Sequence, residues 1–273
     1  MLPSENTDYI STSISRAILS RLDRVHRRRK IGIYAGPPGI GKTITLEQFR
    51  AEHTGRVAIT TLLPGPKGGV GAVMAGHLML KAIGAVVGMG WGEVRPVGRM
   101  DLTSALHNAI CDWAEVPVDK RRRGGKVQEV PPLTMVFDEA QYISKDALEF
   151  LRHIFDAKTS HTPVKVSMFF IGNAEFSLAP LASGNNVFSD SFGDRCFEPE
   201  TWNYDHVTDD DLRLVADQLC QIDSDGLEYV LAHFARRRDR SFRRLTELLD
   251  ELVEEAGGQS ITRPHVAAVL GLT

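Results

Sequence analysis

One short segment near the start of the chain, Gly36-Pro37-Pro38-Gly39-Ile40-Gly41-Lys42-Thr43, constrains the fold more than any other. Its spacing, G-x-x-x-x-G-K-[ST], is that of a loop built to hold phosphate. The glycines let successive backbone N–H groups turn inward around phosphate oxygens, at the positive end of the helix that follows. Lys42 is then expected to reach the β- and γ-phosphates and the Thr43 hydroxyl to ligate Mg²⁺, with Ile44 counted among the nucleotide-binding residues. The flanks agree with this. Ile31 to Ala35 is a short apolar run that reads as a strand, and Thr43 to Glu52 reads as a helix with Leu46 and Phe49 turned to the core. The expected ligands are ATP and Mg²⁺.

A second segment, Thr134-Met135-Val136-Phe137-Asp138-Glu139-Ala140-Gln141, is an apolar strand ending in two acids. Asp138 is placed to share the magnesium held by Thr43. Glu139, one step further, is placed to orient or deprotonate an attacking water. A third segment, Phe169-Phe170-Ile171-Gly172-Asn173, puts a polar amide at the tip of another apolar strand. There Asn173 can hydrogen-bond the water or the γ-phosphate, or serve only the turn beside Gly172. Arg195, just before Cys196-Phe197, could reach the γ-phosphate of a neighbouring subunit and stabilise transition-state charge. Arg243 opens an apolar-striped helix and could fold over the nucleotide, although several arginines close by would equally make a solvated face.

The remaining pattern places these motifs in an α/β fold. Strands are expected at Arg56 to Leu62, Leu133 to Phe137, Val164 to Ile171 and Cys196-Phe197, alternating with helices near 70–84, 102–115 and 147–155. Such alternation predicts a parallel sheet flanked by helices. A further helix, capped by Thr12 or Ser13, leads into the basic run Arg27 to Lys30. After about Pro199 the strands stop. Helices are expected at 209–221, 226–236, 241–256 and 263–270, the third striped by Leu245, Leu248, Leu249, Leu252 and Val253. The expected division is an N-terminal helix with a basic linker (1–30), an α/β phosphate-loop domain (31–199) and a small all-helical lid (200–273). The apolar stretch Ala72 to Trp91 carries His77, Lys81 and several glycines, so it reads as a soluble helix rather than a membrane span. The three cysteines are too widely spaced for a disulfide framework or a zinc knuckle. With no signal-peptide pattern at the start, the expected location is the cytoplasm, without a membrane partner.

Taken in order, the loop at 36–43, the acid pair Asp138-Glu139, Asn173, Arg195 and Arg243 resemble the Walker A, Walker B, sensor one, arginine finger and sensor two of AAA+ ATPases. Within that class Tyr34 to Thr43, Phe137-Asp138-Glu139-Ala140-Gln141, Ile171-Gly172-Asn173 and Arg240 to Leu245 resemble the bacterial and phage transposition ATPases of the MuB, TniB and TnsC type. The related ExeA-like group shares these features. This resemblance implies ATP-bound subunits that assemble as rings or helical filaments on duplex DNA and activate a transposase or related DNA-processing protein. It also implies a DNA path lined by the loop after the second strand, with Lys67 in it and Lys81 further along.

Acids slightly outnumber bases, for a net charge of −3, so any DNA surface has to be a local patch. Besides Lys67 and Lys81, the candidates are the runs Arg27 to Lys30, Lys120 to Lys126 (with Arg121, Arg122 and Arg123) and Arg236 to Arg244. Two other uses of the same core stay open: an ExeA-like ATPase acting on a protein partner without DNA, and a replication-initiator or clamp-loader-like role.

Overall fold

The structure, a computed structural model, describes residues 9–64, 69–93, 98–115, 130–156, 164–173, 192, 195–197, 199–237 and 240–271. Its regular elements run α1 (Ser13–Arg28), β1 (Ile31–Ala35), α2 (Lys42–Glu52), β2 (Val57–Thr61), α3 (Ala72–Val87), α4 (Arg99–Trp113), β3 (Leu133–Asp138), α5 (Lys145–Asp156), β4 (Val166–Gly172) and β5 (Glu200–Thr201). Then follow α6 (Asp209–Leu219), α7 (Ser224–Arg237), α8 (Phe242–Ala256) and α9 (Arg263–Val269). The chain divides into two compact units. One comprises Arg21–Ala35 with Leu46–Thr201; the other gathers residues up to Ser20, Gly36–Thr45 and the chain from Trp202.

The first unit is built on a five-stranded parallel sheet in the order β2-β3-β4-β1-β5. β1, β3 and β4 are buried at every residue, which is why they read as unbroken apolar runs rather than alternating ones. Their rings fit face to face: Phe137 stacks on Phe170 with centroids 4.9 Å apart, and Tyr34 stacks on Phe169 at 4.4 Å. Gly32 leaves room for that second stack, since a Cβ there would lie 2.8 Å from the Phe169 ring. Helices α3, α4 and α5 supply the rest of this core through Met79, Leu80, Ile83, Leu102, Leu106, Leu148 and Leu151. Among the described residues no helix is long and apolar enough to cross a membrane.

The edge of the sheet departs from the sequence expectation. Cys196 forms only an isolated parallel bridge with Ile31, and the edge strand lies beyond it at Glu200–Thr201. Ile31 and Tyr34 are three positions apart on β1, whereas their partners Cys196 and Glu200 are four apart. The edge therefore carries one residue too many for continuous pairing, and Pro199 within it has no N–H to give.

In the second unit α8 buries Leu245, Leu248, Leu249 and Leu252, while Val253 lies on its exposed side. The start of α1 belongs to this unit, where Thr12 acts as the cap by accepting the Ser15 N–H at 3.2 Å. Ser13 donates its N–H and its hydroxyl to Asp211, whose carboxylate also accepts the Thr208 N–H and hydroxyl at the start of α6. Burial alone would raise the Asp211 pKa, but these four donors hold it below the ordinary carboxylate value.

The end of α1 belongs to the first unit and is fastened to the sheet by two polar residues of otherwise apolar strands. Ser167 donates to the carbonyls of Val25 and His26, both at 3.2 Å, adding to the Lys30 and Arg29 N–H groups that reach them at 3.3 Å. Thr134 meets His26 Nδ1 at 2.7 Å. Burial first, and then His53 beside it, pushes the His26 imidazole down to about 4 against an ordinary 6.5, with Arg27 and Arg29 adding to and Asp23 opposing the shift. A histidine that folds neutral binds fewer protons than the unfolded chain within that window. Its stabilising contribution is therefore complete above about pH 6.5 and lost as pH falls towards 4. His26→Asn is expected to flatten the fall in unfolding free energy over this interval. Urea titrations from about pH 7 down to 4 that give parent and variant the same slope would assign the effect to another group.

Candidate functional site

The phosphate loop begins where β1 ends. Gly39 and Gly41 have φ of +77° and +86°, the left-handed region that side chains other than glycine enter at a cost. Gly36 is required for another reason: a Cβ there would lie 2.8 Å from Ile40, the fully buried residue that fills the inside of the turn. α2 then starts at Lys42, with Thr45 N–H donating to the Gly41 carbonyl at 3.1 Å. Pro37 is half-buried, while Pro38, Thr43 and Ile44 are exposed. Lys42 folds back so that its ammonium donates to the carbonyls of Gly36 (2.9 Å) and Pro37 (2.8 Å). A loop with its cation held at its own mouth, ahead of a helix N-terminus, suits an anion with several oxygens.

The same unit brings the helical region onto this loop. Phe242 N–H donates to the Gly39 carbonyl at 2.8 Å, and Tyr204 donates its hydroxyl to the Pro38 carbonyl at 3.2 Å. A Cβ on Gly39 would lie 2.1 Å from Ser241 Oγ and 3.2 Å from Arg243 Cβ. Ser241 caps α8 by accepting the Arg244 N–H. Arg243 thus leaves the helix start beside the loop, with its side chain exposed. Arg240 instead fastens the helical region internally, through Asp209 at 2.7 Å and the Val207 carbonyl at 3.0 Å.

The acid pair closes β3 in the other unit. Asp138 is buried, its carbonyl accepts the Leu62 N–H at 2.9 Å, and its carboxylate accepts the N–H of Glu139 at 2.9 Å. Glu139 has φ +55° and ψ +41°, a left-handed backbone in a residue with a full side chain. A turn over Ala140–Tyr142 follows and pairs with the segment entering α3, Val70 N–H donating to the Tyr142 carbonyl and Ser144 N–H to that of Val70. Gln141 in this turn donates its amide to the Glu139 carboxylate and accepts the Asn173 N–H at 3.1 Å. Glu139, Gln141 and Asn173 are therefore one connected group. The sequence reading missed the part of Gln141; the only trace of it was an amide two residues after the second acid.

Arg195 stands at the edge of the sheet, where its Nε donates to Asp156 at 2.6 Å. Asp156 also accepts from Arg152, which reaches on to Glu149, so α5 carries an alternating chain of charge that ends at Arg195. Burial raises the Asp156 pKa, yet the Arg195 and Arg152 guanidiniums outweigh it and hold the carboxyl below its ordinary value.

Of the candidate nucleic-acid contacts, Lys81 is exposed on α3. Lys67, Arg121, Arg122 and Arg123 lie outside the described residues. The basic run at the end of α1 is in part engaged within the chain: Arg27 pairs with Asp23, the Arg28 guanidinium lies 4.7 Å from the centre of the Phe197 ring, and Arg29 donates to the Val130 carbonyl.

Gly39→Ala combines a left-handed backbone with the close approach of Ser241, whereas Gly41→Ala carries only the first, its Cβ meeting the Phe242 ring at 3.8 Å. The alanine at 39 is expected to cost about 1–3 kcal/mol more stability than the alanine at 41, and to weaken binding of a labelled nucleotide further. Equal melting points for the two variants would show that the contact between α8 and the loop adds nothing.

Comparison with known proteins comes down to fold and family. The model of the AAA domain family matches residues 25–178. No curated protein matches the chain. Among solved structures, the Thermotoga maritima RuvB Holliday junction branch migration motor is similar at a TM-score of 0.50 and 16% identity, over 98% of this chain and 72% of that one. A point mutant of the same protein gives 0.53 and 14%, over 96% and 70%. At these identities the likeness is one of fold.

Proposed function

The chain belongs to the AAA domain family, and from that premise we propose that it is an AAA+ ATPase of the transposition type, which assembles on duplex DNA with ATP and leaves it on hydrolysis. Nucleotide hydrolysis comes with the family. The DNA half is supported by the resemblance of residues 34–43, 137–141 and 171–173 to the MuB, TniB and TnsC type, and by a fold shared with a branch migration motor. The observation that carries the ATPase reading is the seat of the lid helix on the glycine loop, Phe242 N–H on Gly39.

The residues present fit ATP with Mg²⁺. Backbone N–H groups of Gly36 to Thr43 would receive the phosphates, and Lys42 would exchange its hold on the loop carbonyls for the β- and γ-oxygens. Thr43 and Asp138 would hold the Mg²⁺, which when bound offsets charge on those oxygens. Glu139 would accept a proton from the water that attacks the γ-phosphorus, as the bond from that phosphorus to the departing ADP oxygen breaks. Asn173 would orient that water. Arg243 would contact the phosphates from the lid. Arg195, presented by Asp156, would reach the nucleotide of the next subunit, so that a ring or filament hydrolyses faster than a lone subunit. The division into a linker (1–30), a phosphate-loop domain (31–199) and a lid (200–273) belongs to the same proposal, as do Lys67, Lys81 and Arg121 to Arg123 as DNA contacts and a transposase as partner.

The test is ATP turnover with and without duplex DNA, at low and moderate salt. DNA is expected to raise turnover and the gain to fade with salt, because phosphate contacts release counterions. Arg195→Ala is expected to retain ATP binding and lose the stimulated turnover; a variant stimulated like the parent would remove Arg195 from the role. Turnover unchanged by DNA, with no nucleotide-dependent shift of DNA on a gel, would favour an ATPase that acts on a protein partner.

A further inference from the structure

Gln141 lies between the two groups that the proposed reaction places around its water, and neither assigned motif gives it a task. Its amide is oriented by its partners rather than by choice. The Glu139 carboxylate can only accept, so it faces the NH₂ group; the Asn173 main-chain N–H can only donate, so it faces the amide oxygen. The backbone leaves Gln141 little freedom as well. Tyr142 N–H donates to the Glu139 carbonyl at 3.1 Å and Ile143 N–H to that of Ala140 at 3.0 Å, while Ala140 is fully buried. The turn is thus closed on both sides of Gln141, and its side chain bridges the end of β3 to the end of β4.

What the bridge holds is a carboxylate on an unfavourable backbone. Glu139 leaves β3 in the left-handed region, which points its side chain away from the strand direction but does not choose among its rotamers. A single charge-assisted hydrogen bond to a fixed amide makes that choice. We propose that Gln141 is a positioning residue for hydrolysis. It anchors on the main chain of Asn173 and holds the Glu139 carboxylate in one orientation. This rests on Glu139 being the general base.

The experiment compares the full-length parent with Gln141→Ala, Gln141→Glu and Glu139→Gln, under the most active conditions found for the parent. Binding of a fluorescent ATP analogue and thermal melts show whether each variant folds. Gln141→Ala is expected to lower kcat by about tenfold or more with KM and analogue binding near the parent's, the pattern of an interaction made in the transition state. Gln141→Glu keeps an acceptor for Asn173 N–H but sets a second carboxylate against Glu139. The Glu139 carboxylate then loses its donor and is repelled, so kcat is expected to fall at least as far as in Gln141→Ala, with KM again near the parent's. Glu139→Gln is expected to bind nucleotide and turn over at least about a hundredfold slower.

A slow Glu139→Gln beside a Gln141→Ala at the parent's rate overturns the role of Gln141 and leaves the base in place. A slow Gln141→Ala whose KM and analogue binding worsen together with kcat reduces Gln141 to a structural tie, and also overturns it. Parent-like turnover in Glu139→Gln removes the general base and the present inference together.

Discussion

Because β4 pairs in parallel with β3 on one side and β1 on the other, the carboxyl ends of three strands emerge close together along one edge of the sheet. Phe137 pairs with Phe170 and Ala35 with Gly172, so Asp138, Asn173 and the entrance to the glycine loop each follow directly on a paired position. Parallel strands all finish at the same edge, and a crossover sheet of this kind carries its ligands outside those carboxyl ends. The stacks of Phe137 on Phe170 and of Tyr34 on Phe169 fix how the strands sit against each other. A shift of register would move the acid pair along the edge and turn buried side chains to the opposite face of the sheet.

Three residues of the two motifs take left-handed backbone conformations, and each has a local reason. Gly39 and Gly41 turn left-handed because the loop must wind inward, and at Gly39 the lack of a side chain also admits Ser241 and Arg243. Glu139 does the same with a full side chain, held by the turn after it and by Gln141. Strain of this order persists only where the surroundings over-determine it. Here the surroundings are hydrogen bonds between short stretches of chain far apart in sequence, such as 39 with 242 and 141 with 173.

The motifs were legible because their chemistry is local. A glycine loop between an apolar strand and a helix, and two acids closing a second strand, can be recognised over ten residues each. The buried strands were legible for a similar reason, since β1, β3 and β4 have no polar face to interrupt their apolar runs. The edge strand was not. Glu200–Thr201 has no apolar pattern, and only the extra residue between Cys196 and Glu200 decides where pairing resumes. Asp156 was silent in the sequence and Arg240 stood there only within a resemblance and a basic run, because their roles depend on which partner the fold brings near: Arg195 in one case, Asp209 in the other.

By itself the sequence determined the α/β class, the phosphate loop with its lysine and threonine, and the acid pair, all set by side-chain chemistry at short spacing. Tertiary structure alone decided that α8 rests on Gly39, that Asp156 takes up Arg195, and that Gln141 joins Glu139 to Asn173. Apart from the short-range bond of Gln141 to Glu139, those are hydrogen bonds and ion pairs between groups about 30 to 200 positions apart. Nothing in the local pattern specifies them, because a polar side chain acquires its partner only when burial and strand order have placed the two within reach.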